Sequence, residues 1–405
     1  MKAPPMHDLR ITGGTVLLAS DGLRQVDLRL SDGRIDRVGP TDGGARLDAS
    51  GLLVLPGIVD LHGDAFERQL QPRPGVDFPP DLALLDTEAQ LLANGITTAF
   101  HGVTVSWEPG LRSLTAWRAL LAALDAGSWI CDMRVHLRWE AFNLDALETV
   151  LADIAAGRVH LLAFNDHTPS ILKKLKNPVA GAKYSDRAGM GMDAFRTLAD
   201  AVASRGDAVP AALDRIAAAA RAAGLPMASH DDDSIQVRDG FRARGARICE
   251  FPMTEAVAQA AADAGDFVAM GCPNVVRGGS HLGWASAAHL AEAGICSVLT
   301  SDYFYPAMMR AAFILSDRGV LDRAQAWGMI SENPARACGL TDRGTIEPGK
   351  RADLVLADPV TSRAVATIVG GQVAYLTADG SRRLSMSSQG SGATQLIPTP
   401  GQSVE

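Results

Sequence analysis

The stretch Leu55-Pro-Gly-Ile-Val-Asp-Leu-His62-Gly-Asp64 decides the fold. Its apolar run, Ile58 to Leu61, reads as a buried parallel strand, with His62 and Asp64 delivered just past its end. Residues two apart on a strand face the same side, so an imidazole and a carboxylate converge there as a metal-ligand or acid-base pair. A lone His-x-Asp at a strand end is commonly an ordinary hydrogen-bonded turn. What changes the reading is the rest of the chain, where five later strand ends also carry His, Glu or Asp.

Outward from that stretch, strand and helix alternate. Further strands are expected at Gly95–Phe100, Met133–Arg138, Val159–Phe164, Leu225–Ser229, Ala246–Glu250, Asp266–Met270 and Ile295–Thr300, which makes eight with the first. Between them Asp81–Asn94, Leu111–Ala126, Leu144–Ala156, Ala211–Ala223, Glu255–Ala264 and Ala285–Ala293 carry apolar residues at helical spacing, and Val320–Cys338 supplies the last helices. Eight parallel strands alternating with helices predict a TIM-like (β/α)8 barrel over residues 56–339, with its active site at the C-terminal ends of the strands. Residues 168–208 form an unusually long connection, rich in lysine, which reads either as a lid or as a solvated basic insertion.

The flanks differ. Short alternating runs at Leu9–Ile11, Thr15–Leu18, Gln25–Leu30 and Arg34–Val38, and again from Gly344 to Tyr375, are broken by turn signals such as Ser31-Asp-Gly33. Residues 1–55 and 340–378 are therefore expected to form one small, discontinuous β-sandwich built from both chain ends. The Ser-, Gly- and Pro-containing tail, 379–405, is expected to be disordered.

With 405 residues, 47% hydrophobic and 21% charged, the chain can bury a large core, and its formal net charge of -8 gives no sign of a nucleic-acid or membrane surface. No stretch approaches the roughly 20 apolar residues of a membrane span. The five cysteines are odd in number and scattered without a C-x-x-C pair, which fits a reducing cytoplasm and indicates neither a disulfide framework nor a structural zinc knuckle. A homo-oligomer is compatible with all of this and is not specified by it.

The polar strand ends are His62 with Asp64, His101, Glu140, His167, His230 followed by Asp231, Asp232 and Asp233, and Asp302. Imidazoles and carboxylates gathered at one barrel mouth suit one or two divalent ions, zinc above all, which lower the pKa of a bound water towards about 7. His62, Asp64, Glu140, His167 and His230 are the candidate metal ligands, Glu140 being the candidate bridge, although it could instead pair with Arg138 or Arg134. Asp302 is the candidate proton carrier. His101 is either a ligand or substrate-facing, while His136 and His160 read as structural. After the seventh strand, Arg277, Gly278, Gly279, Ser280 and His281 offer donors and close backbone approach suited to phosphate oxygens, and Lys183 and Tyr184 of the long connection are candidate substrate contacts.

Together the Pro56-Gly-Ile-Val-Asp-Leu-His-Gly-Asp64 and Gly344-Thr-Ile-Glu-Pro-Gly-Lys-Arg-Ala-Asp-Leu-Val-Leu356 segments resemble the amidohydrolase superfamily of metal-dependent hydrolases. More narrowly, Gln71–Pro79, Asp166-His167, Ser229-His-Asp-Asp232, Pro273–His281 and Ser301-Asp-Tyr303 resemble the diphosphatase branch found in the carbon-phosphorus lyase pathway of phosphonate catabolism. That resemblance implies release of pyrophosphate from α-D-ribose 1-methylphosphonate 5-triphosphate, a phosphorylated sugar. Many amidohydrolases carry His-x-His after the first strand and a carboxylated lysine later. Here Asp64 replaces the second His and no lysine stands at an inner strand end, which agrees with the diphosphatase branch. Hydrolysis of a C–N bond in an amide or a deaminable ring is the rival chemistry, and a non-catalytic relative is a third reading.

Overall fold

The computed structural model describes residues 8–73, 75–279 and 286–385. Eight parallel strands form one sheet in sequence order: Ile58–Gly63, Ile96–Val105, Asp132–Glu140, Leu161–Asn165, Met227–His230, Ile248–Glu250, Phe267–Gly271 and Val298–Thr300. The sheet curls until its ends meet at a parallel bridge between Gly63 and Asp302. There the Asp302 N–H donates to the His62 carbonyl at 3.0 Å and the Asp64 N–H donates to the Asp302 carbonyl at 2.9 Å. The result is a TIM-like barrel with helices around it.

The strands read as near-continuous apolar runs because both faces are covered. Val59, Leu61, Phe100, Leu161, Ala163, Ala228, Ile248, Ala269 and Val298 make the inner cluster. The third strand contributes nothing to it. Val135, Leu137 and Trp139 of that strand pack outward with Trp117, Leu120, Val150 and Ile216 of the helices. By strand alternation its inward row is therefore Arg134, His136, Arg138 and Glu140.

The long connection is not a loop. It folds as three helices, Thr168–Leu175, Pro178–Ala188 and Met192–Ala203, which pair Ile171 with Leu175, Tyr184 with Ala188 and Phe195 with Ala199 at i,i+4 spacing in a small core of their own. Asn177 caps the second helix by accepting from the Val179 and Ala180 N–H groups, and Gly189, at φ 63°, ends it. Trp107, from the connection after the second strand, fastens this unit to the barrel through Phe195 and a 2.9 Å bond to Thr168 Oγ1.

A further helix, Ile235–Ala243, was not apparent in the sequence because no broad apolar stripe marks it. Fully buried Arg238 holds it in place by donating to the Ala246 and Ile248 carbonyls, to Ser229 Oγ and to Asp266 Oδ2.

Two further sheets take strands from both chain ends. One contains Thr15–Leu18, Gly22–Gln25, Leu53–Pro56, Leu354–Asp358, Arg363–Val369 and Gln372–Leu376; the other contains Leu9–Thr12, Leu28–Ser31, Arg34–Val38, Ala45–Asp48 and Leu384–Ser385. They share one apolar cluster that includes Leu28, Leu47, Val54 and Leu354. The run expected as a single strand, Gln25–Leu30, breaks at Val26-Asp27 and serves both sheets; Asp27 accepts the Gly13 N–H on its carboxylate and the Gly39 N–H on its carbonyl. The chain also stays ordered past the expected boundary at 378. A helix, Ala378–Arg383, capped by Thr377, leads into Leu384–Ser385, while 386–405 lie outside the described residues. Among the described residues no helix is long and apolar enough to cross a membrane.

Arg238→Met would leave Asp232 and Asp266 buried with less compensation, and is expected to cost about 3–5 kcal/mol of unfolding free energy. Chemical denaturation measures this. A loss below about 1 kcal/mol would show that Arg242, also bonded to Asp266, suffices alone.

Candidate metal and acid-base centre

Strand ends supply every group at the mouth. His62, last but one of the first strand, has its Nδ1 3.1 Å from Oε2 of Glu250, which ends the sixth. Beneath them His136 donates from Nδ1 to the Leu61 carbonyl at 3.0 Å, since a carbonyl only accepts; its Nε2 then faces Glu250 Oε2 at 3.7 Å as a free lone pair. Burial holds His136 down at about 3 and His62 well below the usual imidazole range, so both rings are neutral. Glu250 is pushed upward by the same burial, and its Oε1 has no hydrogen-bond partner.

A second set lies beside the first. His230, ending the fifth strand, has Nδ1 3.2 Å from Asp231 Oδ1, and His167 has Nε2 3.4 Å from Asp231 Oδ2. On its other side His167 meets Glu140, with Nδ1 2.5 Å from Oε1 and its backbone N–H donating to Oε2 at 3.1 Å. Burial opposes charge on His167, but the neighbouring Glu140 and Asp231 carboxylates outweigh it and raise its pKa to about 9. Holding an ion would displace that proton.

His62, His230 and Glu250 bring one ligand atom each within 4.8 Å of one another, and so do His167, His230 and Asp231. Mixed imidazole and carboxylate donors, with a buried carboxylate oxygen left unpartnered, fit a divalent ion. Three of the five expected ligands, His62, His167 and His230, are thus gathered. The other two are placed differently: Asp64 pairs with Arg138 at 3.4 Å, and Glu140 orients His167 instead of joining either set. The sequence reading did not commit to Glu250 or Asp231. The signal for both was position alone, since Glu250 ends an expected strand and Asp231 follows His230.

Asp302 sits one residue beyond Ser301 at the end of the eighth strand with φ 55°. Asp231 (φ 59°) and Phe251 (φ 51°) are also left-handed, so three strand ends carry a conformation that costs of order 1–3 kcal/mol each and that clusters at functional sites. Burial first, and the nearby Asp64 carboxylate second, raise the Asp302 pKa to about 7. Gly271 leaves room for it, because a Cβ there would lie 3.0 Å from Asp302 Oδ2.

His101 faces away from the centre. Its inward neighbour is Phe100, and the His101 ring packs on Phe66 at 5.2 Å with neither nitrogen hydrogen-bonded. Arg277, ending the short helix Cys272–Arg277, donates to Tyr303 Oη at 3.4 Å, and Arg68 lies over the same ring at 5.8 Å. The Gly278 and Gly279 N–H groups close that helix by donating to Val275 and Asn274 carbonyls instead of standing open to an anion. Ser280 and His281 lie outside the described residues. Tyr184 is a core residue of the three-helix unit, with Lys183 over its ring at 5.1 Å and Lys174 donating to its hydroxyl at 3.2 Å; no described contact joins Lys183 or Tyr184 to His62, Asp302 or Arg277.

Comparison with known proteins agrees with this geometry. Residues 89–375 match the amidohydrolase family. The chain belongs to that family. Among curated relatives of this amidohydrolase, the α-D-ribose 1-methylphosphonate 5-triphosphate diphosphatase of Escherichia coli K12 is 33% identical over 321 residues, covering 77% of this chain and 84% of that protein. An adenine deaminase of Methylobacterium nodulans is 26% identical over 98% of this chain and 63% of its own length. Among solved structures, a D-hydantoinase from Bacillus sp. AR9 superposes with a TM-score of 0.62 at 16% identity, covering 91% of this chain and 95% of that one. That likeness reflects the shared fold.

Glu140→Gln keeps the size of the side chain but removes the charge that orients His167. It is expected to weaken divalent-metal binding about 10–100-fold, measured by competition with a chromogenic chelator. Unchanged affinity would take Glu140 out of the centre.

Proposed function

We propose that the chain hydrolyses α-D-ribose 1-methylphosphonate 5-triphosphate to the 5-phosphate and pyrophosphate, within phosphonate catabolism. The observation that carries this reading is the similarity to the Escherichia coli diphosphatase across most of both chains. The rim of the mouth supports it. Arg68 and Arg277 converge on Tyr303, the residue after Asp302, and neither has an ion-pair partner among the described residues. Two guanidiniums without a carboxylate partner, meeting at the residue next to Asp302 in sequence, suit an oligophosphate.

In the reaction water adds across a phosphoric anhydride. Its oxygen goes to one phosphorus, and the bridging oxygen leaves with the other. A bound divalent ion, zinc being the one these donors suit, would supply Lewis-acid stabilisation of charge on the phosphoryl oxygens and make the water more acidic. Asp302, with its pKa near neutrality, takes the proton from the water and returns it to the departing pyrophosphate. Arg68 and Arg277 offset charge on the leaving phosphates. His62, His167, His230, Glu250 and Asp231 would hold the ion, Glu140 orients His167, and Asp64 keeps Arg138 in place. The two flanking sheets are read as the leaves of one sandwich. The five free, buried cysteines agree with work in the cytoplasm.

C–N bond hydrolysis is the second reading, favoured by the similarity to the adenine deaminase. Metal-loaded protein assayed against the ribose triphosphate, ATP, adenine and N-acyl amino acids separates the two. Pyrophosphate released from the ribose substrate in preference to ATP is the expected result; ammonia or amine without pyrophosphate would replace the diphosphatase reading. Asp302→Asn is expected to lower kcat by at least about 100-fold with an unchanged melting temperature. Arg68→Ala and Arg277→Ala are each expected to raise KM about tenfold, as befits a charged hydrogen bond worth about 1.5 kcal/mol; unaltered KM in both would remove the rim from substrate binding.

A further inference from the structure

Arg138 occupies the inward row of the third strand, two residues before Glu140, and is buried. One arm, Nη2, lies 3.0 Å from Nε2 of His230; the other, Nη1, lies 3.4 Å from Asp64 Oδ2. The guanidinium Nε is buried with no partner. A guanidinium only donates and stays protonated, so Nε2 of His230 must supply the lone pair. The one hydrogen of a neutral imidazole then sits on Nδ1, which lies 3.2 Å from Asp231 Oδ1 but out of line for a hydrogen bond to it. Nε2 is thus committed to Arg138, yet His230 is the residue common to the two possible ligand sets.

We propose that Arg138 and a divalent ion compete for His230. An ion at Nε2 takes the lone pair that Arg138 uses. An ion at Nδ1 drives the ring hydrogen to Nε2, where it faces the guanidinium donor to donor. Either way the arm must leave. Arg138 is therefore a positioning cation that holds the imidazole in the metal-free protein and is released as the centre loads. Once released, with Asp64 retaining Nη1, the Nη2 arm is free to donate to an oxygen of the substrate. This last step rests on the phosphate-bearing substrate proposed above; the competition does not.

The test needs no substrate. Zinc affinity of the full chain is measured by chelator competition for the wild type, Arg138→Lys and Arg138→Met. Arg138→Met is expected to bind zinc about ten- to a hundredfold more tightly, the worth of one charged hydrogen bond, with Arg138→Lys in between. Equal or weaker binding by a cooperatively melting Arg138→Met protein overturns the competition. Nitrogen NMR of the wild type gives the same answer without a variant. The metal-free His230 ring must carry its hydrogen on Nδ1, and zinc must shift the Arg138 guanidinium signal; a signal that does not respond overturns it equally. Inorganic phosphate then probes the released arm. Zinc-loaded wild type should bind it about tenfold more tightly than zinc-loaded Arg138→Met; equal binding with the competition intact would remove the phosphate contact alone.

Discussion

The closure of the barrel passes through its candidate centre. Asp302 donates to the His62 carbonyl and accepts from the Asp64 N–H, so the last rung of the sheet is made by a candidate ligand, its acidic neighbour and the candidate proton carrier. Asp302 has the left-handed backbone that allows both bonds. Gly63 sits between them because the wall behind it is full: a Cβ would lie 2.7 Å from Asp60 Oδ2 and 2.8 Å from Ser301 Oγ. Asp60 in turn accepts the Ser301 N–H at 3.0 Å, which pins the eighth strand to the first on the face opposite Val59 and Leu61. Relative placement of His62 and Asp302 is thus fixed by main-chain bonds, which vary less than side-chain contacts under substitution.

A second constraint is the inward row of the third strand. Most barrel strands fill the interior with aliphatic side chains, and this one sends in Arg134, His136, Arg138 and Glu140. Buried polar groups are tolerated when partnered. Arg134 ion-pairs with Asp132 and lies over the Phe100 ring, His136 reaches the Leu61 carbonyl, and Glu140 engages His167 twice. Arg138 and His136 each keep one buried nitrogen without a partner, beside the candidate ligands.

The barrel was legible because its strands are continuous apolar runs and most of its helices have apolar stripes, two signals that survive without any knowledge of contacts. The three-helix unit was hidden by its composition: six i,i+4 positions are diluted among lysines and glycines, so Ile171, Leu175, Tyr184 and Phe195 did not stand out as a core. In the centre, residue type and strand-end position were enough to single out His62, His167, His230 and Asp302 as candidates. They could not give direction. Whether Glu140 points at an ion or at His167, whether Asp64 meets metal or Arg138, and whether His101 faces in or out depend on strand alternation and local bulges, such as those where the first strand pairs with the second. Gly278 and Gly279 looked like an anion cradle, but the helix ahead of them claims their N–H groups.

The segment Ser229-His-Asp-Asp232 shows how such direction is set. His230 and Asp231 face the centre, while Ser229 and Asp232 face backward, where Ser229 Oγ bonds Asp232 and accepts from buried Arg238. Two adjacent residues on one face break strand alternation and require a sharp backbone turn, which Asp231 supplies at φ 59°. Left-handed backbone at a non-glycine residue persists only where surrounding contacts over-determine it. Arg238 provides those contacts by tying Ser229, the Ala246 and Ile248 carbonyls and Asp266 together. The helix that carries Arg238 has almost no other buried side chain. Its place in the fold is therefore explained less by its own burial than by the strain it holds at Asp231, one residue from the imidazole that both ligand sets share.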